Sequence, residues 1–138
     1  MTKGTRVSVR LPVAVHRELV RVAAQERRPL SAVIRDFLEE AVRMRRCPGI
    51  AFVQGPTGRR PVLAGTGLEV WEIVRAYKAC GEDFEKLKGA FDWLSPRQLR
   101  DALNYWQLYP EEIEEEIRRQ VEVLQHGPEL YPHLFARS

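Results

Sequence analysis

The sequence contains few of the residues that build disulfide scaffolds, metal centres or membrane spans. It has 2 cysteines, Cys47 and Cys80, which form no CxxC pair, and only 3 histidines. A disulfide framework and a cysteine-rich zinc site are therefore not expected. No apolar run reaches the roughly 18 residues of a membrane-spanning helix, and no hydrophobic leader follows Met1. These absences predict a cytoplasmic protein without a membrane segment, metal or cofactor.

Patterns of catalytic residues are also missing. His16, His126 and His133 have no ligand partner four residues away and no cysteine nearby. There is no Gly-x-Ser-x-Gly elbow, and Ser31 and Ser95 stand where helix caps are expected rather than nucleophiles. The sequence thus predicts a protein that is not an enzyme.

Charge is distributed unevenly along the chain. Residues 1–49 carry 11 Lys/Arg and 5 Asp/Glu, a net +6, and residues 50–109 carry 8 and 7, a net +1. Residues 110–138 carry 3 and 7, a net −4. A basic head favours a polyanionic partner, and an acidic tail favours a different role. The alternative is that both are solvated surfaces.

The basic head has the pattern of one strand followed by two helices. Two alternating sets of side chains define the strand: Val7, Val9 and Leu11 on one face, and Arg6, Ser8 and Arg10 on the other. Helical spacing then begins at Val13, stops at Pro29 and resumes after Ser31. Because a single strand leaves both edges unpaired, a second copy is expected to pair antiparallel through residues 6–10, forming a homodimer.

Most of residues 4–46 resembles the ribbon–helix–helix family of MetJ- and Arc-type repressors. The matching stretches are Arg6-Val7-Ser8-Val9-Arg10-Leu11-Pro12, the helix Val13–Glu26, and Leu30-Ser31-Ala32-Val33-Ile34-Arg35. The resemblance implies that Arg6, Ser8 and Arg10 read bases of operator DNA. It also implies that the N–H groups of Ser31 and Ala32 bind a phosphate. Where the family often has Gly in the inter-helix turn, Arg28 and its neighbour add charge near the DNA backbone.

Residues 47–110 are expected to form a β-hairpin followed by three helices. Short β-type runs at Ile50–Gln54 and Pro61–Ala64 flank a Gly/Pro-rich turn. Three helical patterns follow, the last of which is capped by Ser95. The outward side chains of that last helix are Arg97, Gln98, Arg100 and Asn104. Such an arrangement is compatible with a helix-turn-helix, so these four side chains are a candidate second surface for DNA or a partner.

Residues 50–115 resemble the bacterial "domain of unknown function" four-three-three, which is often classed with antitoxins. The matching stretches are Arg60-Pro61-Val62-Leu63-Ala64-Gly65-Thr66, Leu68-Glu69-Val70, Leu94-Ser95, Asp101-Ala102-Leu103-Asn104-Tyr105-Trp106 and Pro110-Glu111-Glu112-Ile113. The family usually has Arg after the Gly-Thr pair, whereas this chain has Gly67. The resemblance implies a winged or trihelical helix-turn-helix fold and leaves open whether it binds DNA or protein.

The C-terminal segment is predicted to be a helix followed by an apolar end. The helix spans Glu111–Gln125, and Gly127-Pro128 is expected to stop it. The apolar end contains Leu130, Tyr131, Leu134 and Phe135, followed by Arg137. These residues either fold back onto the middle domain or dock on a partner protein. By analogy with antitoxins they are the toxin-binding residues, with Arg137 entering an acidic site.

These patterns predict a mainly α protein with three parts. A ribbon–helix–helix domain spans 1–46, a β-hairpin with a trihelical helix-turn-helix-like domain spans 47–110, and a helix with a partner-binding tail spans 111–138. The first hypothesis is a type II antitoxin that represses its own operon and neutralises a toxin, by family analogy a PIN-type ribonuclease. The alternatives are a stand-alone homodimeric repressor and a structural dimerisation protein.

Overall fold

A computed structural model describes residues 4–56 and 58–130, with the backbone alone for residues 126–130. The helices are α1 (Val13–Glu26), α2 (Leu30–Arg46), α3 (Val70–Ala79), α4 (Phe84–Ala90), α5 (Pro96–Leu108) and α6 (Pro110–Leu130), and the strands are β1 (Ile50–Gly55) and β2 (Gly58–Leu63). The expected mainly helical fold is confirmed. Within the described residues, no helix combines the length and apolar character needed to cross a membrane.

The chain divides into two compact units, an N-terminal unit of residues 1–43 and a C-terminal unit of residues 44–138. The core of the N-terminal unit contains three buried side chains, Leu19, Ala23 and Val33. These residues join α1 to α2, and Val22, Leu30 and Ile34 pack against them partly exposed. The unit therefore buries little apolar surface of its own.

Each helix of the N-terminal unit begins directly after a proline, and a left-handed residue ends the first of them. The carbonyl of Pro12 accepts the His16 N–H at 3.0 Å, and α1 begins at the next residue. Pro12 itself has no N–H group with which to extend the helix towards the N-terminus. Arg27 ends α1 in the left-handed conformation, with φ 54° and ψ 46°. The carbonyl of Pro29 then accepts the N–H groups of Ala32 and Val33 at 3.1 and 3.2 Å and opens α2. Ser31 consequently lies within the first turn of α2, and the expectation that it caps the helix is wrong.

Residues 4–12 form neither helix nor strand in the single chain. The strand expected there is thus not formed by one copy. The physical reason is that a strand is defined by hydrogen bonds to a neighbour, and the N-terminal unit contains no other extended segment among its described residues. The antiparallel ribbon needs a second chain and stays a prediction.

The C-terminal unit opens with the expected hairpin. β1 and β2 pair antiparallel with Ile50 opposite Leu63 and Gly55 opposite Gly58. The expected turn is therefore found. β1 starts at the expected Ile50, and the other three strand ends differ from the prediction by one to three residues. The hairpin then meets the start of α3 through an isolated bridge between Val62 and Glu69.

The helices of the C-terminal unit surround a core of twelve buried residues. α3 lies at its centre and packs against α4, α5 and α6. The side chains buried most deeply include Ile73, Leu99 and Tyr105, each with 0% of its surface exposed. α5 begins where the sequence predicts, because the Ser95 side chain accepts the Gln98 N–H at 3.1 Å in a capping box.

α6 extends beyond its expected end at Gly127-Pro128 and continues to Leu130. A proline within a helix removes one backbone hydrogen bond and crowds the carbonyl four residues back, so it is unfavourable there; in α6 it falls in the last turn. The first turns of α6 pack against α3 and α5 through the buried Ile113. Further along, Val123 and Leu124 are 46% and 58% exposed. The apolar stripe of α6 therefore begins in the core and ends in solvent.

Candidate nucleic-acid interface

The segment expected to form the ribbon exposes both of its faces. Val7 and Val9 are 75% and 74% exposed, which is unusual for two valines separated by one residue. Arg6, Ser8 and Arg10 are also exposed. Neither arginine has an ion pair among the described residues. The segment thus offers one apolar and one cationic set of side chains, each without a partner in a single chain.

The apolar face of α2 divides into a buried and an exposed half. Val33 is buried and Ile34 half-buried, as the predicted stripe requires. Phe37, Leu38 and Val42 belong to the same stripe but are 48%, 61% and 57% exposed. In one chain the N-terminal unit leaves more large apolar side chains in solvent than it buries.

The first turn of α2 supplies free N–H groups, and only one of the two expected donors, Ser31, is among them. The Ala32 N–H donates to the Pro29 carbonyl at 3.1 Å and is therefore engaged. The N–H groups of Leu30 and Ser31 have no acceptor within the described part of the chain. Since free N–H groups at a helix N-terminus attract anions, the donors available to a phosphate are those of Leu30 and Ser31.

Two adjacent arginines in the α1–α2 turn differ in their availability. Arg28 pairs with Asp36 at 2.5 Å and with Glu26 at 3.3 Å. The hydrogen bond with Asp36 raises the pKa of Arg28, and its charge is locally balanced. Arg27 is exposed and has no ion pair among the described residues. Arg27 is thus the freer cation of the two, and its left-handed φ of 54° is a conformation that favours glycine.

The outward face of α5 brings together three of the four residues predicted there. Arg97, Arg100 and Asn104 are exposed at helical spacing of three and four residues, and the exposed Gln107 continues the row. Gln98 does not belong to this face. Its side-chain oxygen accepts the Ser95 N–H at 2.8 Å, so Gln98 is half-buried and completes the capping box.

α4 orients the cations of the α5 face. The Arg100 guanidinium lies 4.9 Å from the centre of the Phe84 ring, and the Lys88 ammonium lies 5.9 Å from the same ring. Cation–π attraction therefore holds two positive charges beside one aromatic side chain. Arg97 and Arg100 have no ion pair among the described residues, whereas Lys88 pairs with Glu85 at 2.9 Å.

One carboxylate of α5 is turned towards the hairpin. Asp101 follows Arg100, but its side chain lies against Gly49 and leaves no room there for a Cβ. The side chain is thus turned towards the start of β1. Burial raises the pKa of Asp101, and the positive charge of Arg97 offsets this in part.

The backbone conformation explains why this chain has glycine at position 67. Gly67 adopts a φ of 74°, a conformation that favours glycine over arginine. The turn is closed by the Thr66 hydroxyl, which donates to the Leu63 carbonyl at 2.8 Å and accepts the Leu68 N–H at 3.0 Å. In this chain the turn is built for glycine.

A buried ion cluster ties α6 to the hairpin, and sequence patterns do not reveal it. Arg60 of β2 pairs with Glu116 of α6 at 2.5 Å and with Glu69 at 2.6 Å. Burial alone would raise the pKa of Glu116, but hydrogen bonds from Arg60 and Gln120 hold it below its ordinary value. Only 13% of the Arg60 side chain and 7% of the Glu116 side chain are exposed.

Two further acidic contacts fasten α6. Glu114 accepts hydrogen bonds from Lys78 at 2.5 Å and from the Trp106 indole at 2.9 Å. The Lys78 contact holds the pKa of Glu114 below its ordinary value. The Tyr105 hydroxyl donates to Glu112 at 2.6 Å. Part of the acidic charge of α6 therefore serves internal packing.

The segment assigned to toxin binding falls outside the described residues. This applies to Tyr131, Leu134, Phe135 and Arg137, while Leu130 is the last residue of α6. Within residues 4–56 and 58–130, no group of three His, Cys, Asp or Glu side chains is placed to hold a metal ion.

Comparison with known proteins identifies no relative. No protein-family model matches the chain, and no curated protein or solved structure matches it. The resemblances drawn from short sequence stretches therefore remain hypotheses, and the functional argument depends on the residues themselves.

Proposed function

We propose that this chain is a cytoplasmic, homodimeric DNA-binding antitoxin that represses its own operon and neutralises a toxin. The observation that carries the proposal is the pairing of exposed apolar and exposed cationic side chains in residues 6–10. Valine side chains that are three-quarters exposed are stabilised by burial, at about 25 cal/mol per Å² of apolar surface. A second copy of the same segment offers that burial.

Antiparallel pairing of two such segments produces a two-stranded ribbon. Because side chains alternate along a strand, Val7 and Val9 then face the helices, while Arg6, Ser8 and Arg10 face outwards. A ribbon of this kind fits the major groove of duplex DNA. Arginine can donate two hydrogen bonds to guanine, and serine can bond to either type of base edge.

The remaining parts of the N-terminal unit support the same function. The N–H groups of Leu30 and Ser31 are free for a phosphate, and Arg27 adds a cation in the adjoining turn. The exposed half of the α2 stripe gives the second copy an apolar surface to cover. A dimer would thus account for both the unpaired segment and the uncovered helix face.

The proposed toxin contact rests on the sequence of residues 130–138 and on the exposed end of α6. Leu124, near the end of the described side chains, is 58% exposed, so the apolar stripe of α6 runs on towards the apolar C-terminal residues. An amphipathic helix whose apolar side chains are exposed at one end can bind a hydrophobic groove on another protein.

The DNA-binding part is tested by titrating the full chain into a duplex that covers the region upstream of its own reading frame. Arg10→Ala should weaken specific binding by about 1–3 kcal/mol and relax preference at one base position. Arg118→Ala is the matched control, because Arg118 is an exposed arginine on α6 already paired with Glu115. Equal binding by the wild type and the Arg6→Ala/Arg10→Ala variant would contradict the ribbon mechanism.

The toxin-binding part is tested by co-expressing the chain with the protein encoded beside it. The full chain should co-purify with that protein at fixed stoichiometry and abolish its toxicity, whereas a chain ending at residue 125 should do neither. DNA binding without any such partner would favour the alternative, a stand-alone homodimeric repressor that uses the same N-terminal unit.

A further inference from the structure

We propose that the C-terminal unit carries a second DNA-binding site, formed by the outward face of α5 together with Trp93. This inference rests on the proposed DNA-binding function but depends on different residues. Trp93 lies in the turn between α4 and α5 and is 62% exposed, more than any other aromatic side chain among the described residues. Tryptophan combines a large apolar ring with an N–H donor, which makes it common at interfaces.

The chemistry of the α5 face favours a nucleic acid over other partners. The row Arg97, Arg100, Asn104 and Gln107 contains no carboxylate, and its arginines have no ion pair among the described residues. Arginine, asparagine and glutamine are the side chains that form paired hydrogen bonds with guanine and adenine in the major groove. Two carboxylates lie close to this surface in the sequence: Asp101 is turned towards Gly49, and the exposed Asp92 directly precedes Trp93.

The geometry supplies a rigid platform for this face. α5 has 13 residues and a complete capping box, and its Leu99 and Ala102 are fully buried. Phe84 holds Arg100 at 4.9 Å, and the ring centres of Phe91 and Trp93 lie 6.3 Å apart, edge to face. Arg100 and the indole of Trp93 are therefore in contact with neighbouring rings before any ligand binds, which lowers the entropy lost on binding.

Charge on the other helices argues for a site confined to α5. α6 presents exposed carboxylates at Glu111, Glu115 and Glu122, which would repel a polyanion. The contrast between a carboxylate-free row on α5 and an acidic surface on α6 gives the C-terminal unit one side that suits DNA.

The first experiment uses Trp93 as a contact probe in the full chain. Trp71 and Trp106 are half-buried, so quenching by acrylamide reports mainly on Trp93. Saturating the protein with the upstream duplex should reduce acrylamide quenching at least about twofold, and the Trp93→Phe variant should show no comparable change. Unchanged quenching of the wild type at saturating DNA would overturn the proposal.

The second experiment separates this site from the ribbon. Arg97→Ala/Arg100→Ala should weaken binding at least tenfold and lower the slope of log affinity against log salt by up to about 3–4 per dimer, at roughly 0.9 for each lost phosphate contact. Arg75→Ala/Arg118→Ala, which removes one exposed arginine from α3 and one from α6, is the charge-matched control and should change neither.

The outcomes distinguish the two proposals. If Arg6→Ala/Arg10→Ala abolishes binding while Arg97→Ala/Arg100→Ala binds as the wild type does, the ribbon stands and the α5 site is overturned. If only the α5 variant weakens binding, the α5 site is supported and the ribbon mechanism fails. If the α5 variant keeps full DNA affinity but loses a co-purifying protein, the face is a protein interface and the proposal is wrong.

Discussion

The two units of this chain differ in how completely each buries its own apolar surface. Among the described residues, the C-terminal unit encloses a core of twelve buried side chains, several with no exposed surface. The N-terminal unit encloses three and leaves Val7, Val9, Phe37, Leu38 and Val42 in solvent. The C-terminal unit therefore buries its apolar side chains within one chain. The N-terminal unit leaves exposed the apolar surface of about half a core. We infer that the missing half is a second copy.

The largest effect is expected from charges placed at the proposed ribbon. Val7→Asp/Val9→Asp replaces four valines per dimer, each contributing about 1.5 kcal/mol on burial. The dimer dissociation constant should therefore rise at least about 1000-fold, as measured by sedimentation equilibrium. Val53→Asp is the control, because Val53 is a 43%-exposed valine of the C-terminal unit. A double variant that remains dimeric would place the interface elsewhere.

The next effect tests the self-sufficiency of the C-terminal unit. Arg60→Met removes the cation shared by Glu116 and Glu69. Glu116 keeps its ion pair with Arg119 at 2.6 Å, so the cost should be that of unsatisfied buried acceptors, about 1–3 kcal/mol. Urea unfolding followed through Trp71 and Trp106 should show this loss. Arg118→Met removes an exposed pair and should cost under about 1 kcal/mol. Similar losses in both variants would show that the Arg60 cluster has no special role.

A smaller effect of opposite sign is expected in the α1–α2 turn. Arg27 holds a left-handed conformation that costs a non-glycine residue about 1–2 kcal/mol. Arg27→Gly should stabilise the N-terminal unit by up to about 1 kcal/mol, part of the gain being lost to the greater freedom of glycine when unfolded. The same variant should weaken DNA binding, because it removes a free cation. Thermal unfolding and DNA titration of one preparation measure both; a destabilised variant would contradict the strain argument.

The smallest effect concerns pH. The pKa of Asp101 is raised above 3.8 in the folded chain, so its contribution favours folding at low pH and is lost as pH rises through the folded value. The lowered pKa values of Glu114 and Glu116 act in the opposite direction, stabilising the fold above about pH 4.5 and failing below it. Asp101→Asn should therefore stabilise the C-terminal unit slightly at pH 7. A loss of stability at that pH would contradict this assignment.

The sequence predicted local structure well where the signals were local. The limits of α1, the hairpin turn and the Ser95 cap each follow from proline, glycine or serine at a defined position. The prediction that Ser31 caps α2 was wrong, because the Pro29 carbonyl accepts the first N–H groups of that helix. The prediction that Gly127-Pro128 ends α6 was also wrong, because the helix continues to Leu130. Both incorrect predictions concern helix ends, whose position depends on which of several neighbouring residues supplies the terminal hydrogen bonds.

The sequence could not reveal the long-range contacts. Arg60 and Glu116 are 56 residues apart, and no periodicity connects them. Gln98 looked like an outward polar residue, but its role in the capping box depends on the local backbone. No sequence pattern singles out Trp93, because it lies outside the helical spacing. Its exposure depends on how the neighbouring helices pack.

The central claim is that residues 6–10 pair with the same segment of a second copy. Hydrogen–deuterium exchange of a peptide covering residues 5–11, measured in the full chain over a range of concentrations, tests it most directly. The account predicts slow exchange at high concentration that becomes fast on dilution, in step with dissociation to the 16.0 kDa monomer. Fast exchange at every concentration, in a chain that is still dimeric, would show that the ribbon does not exist.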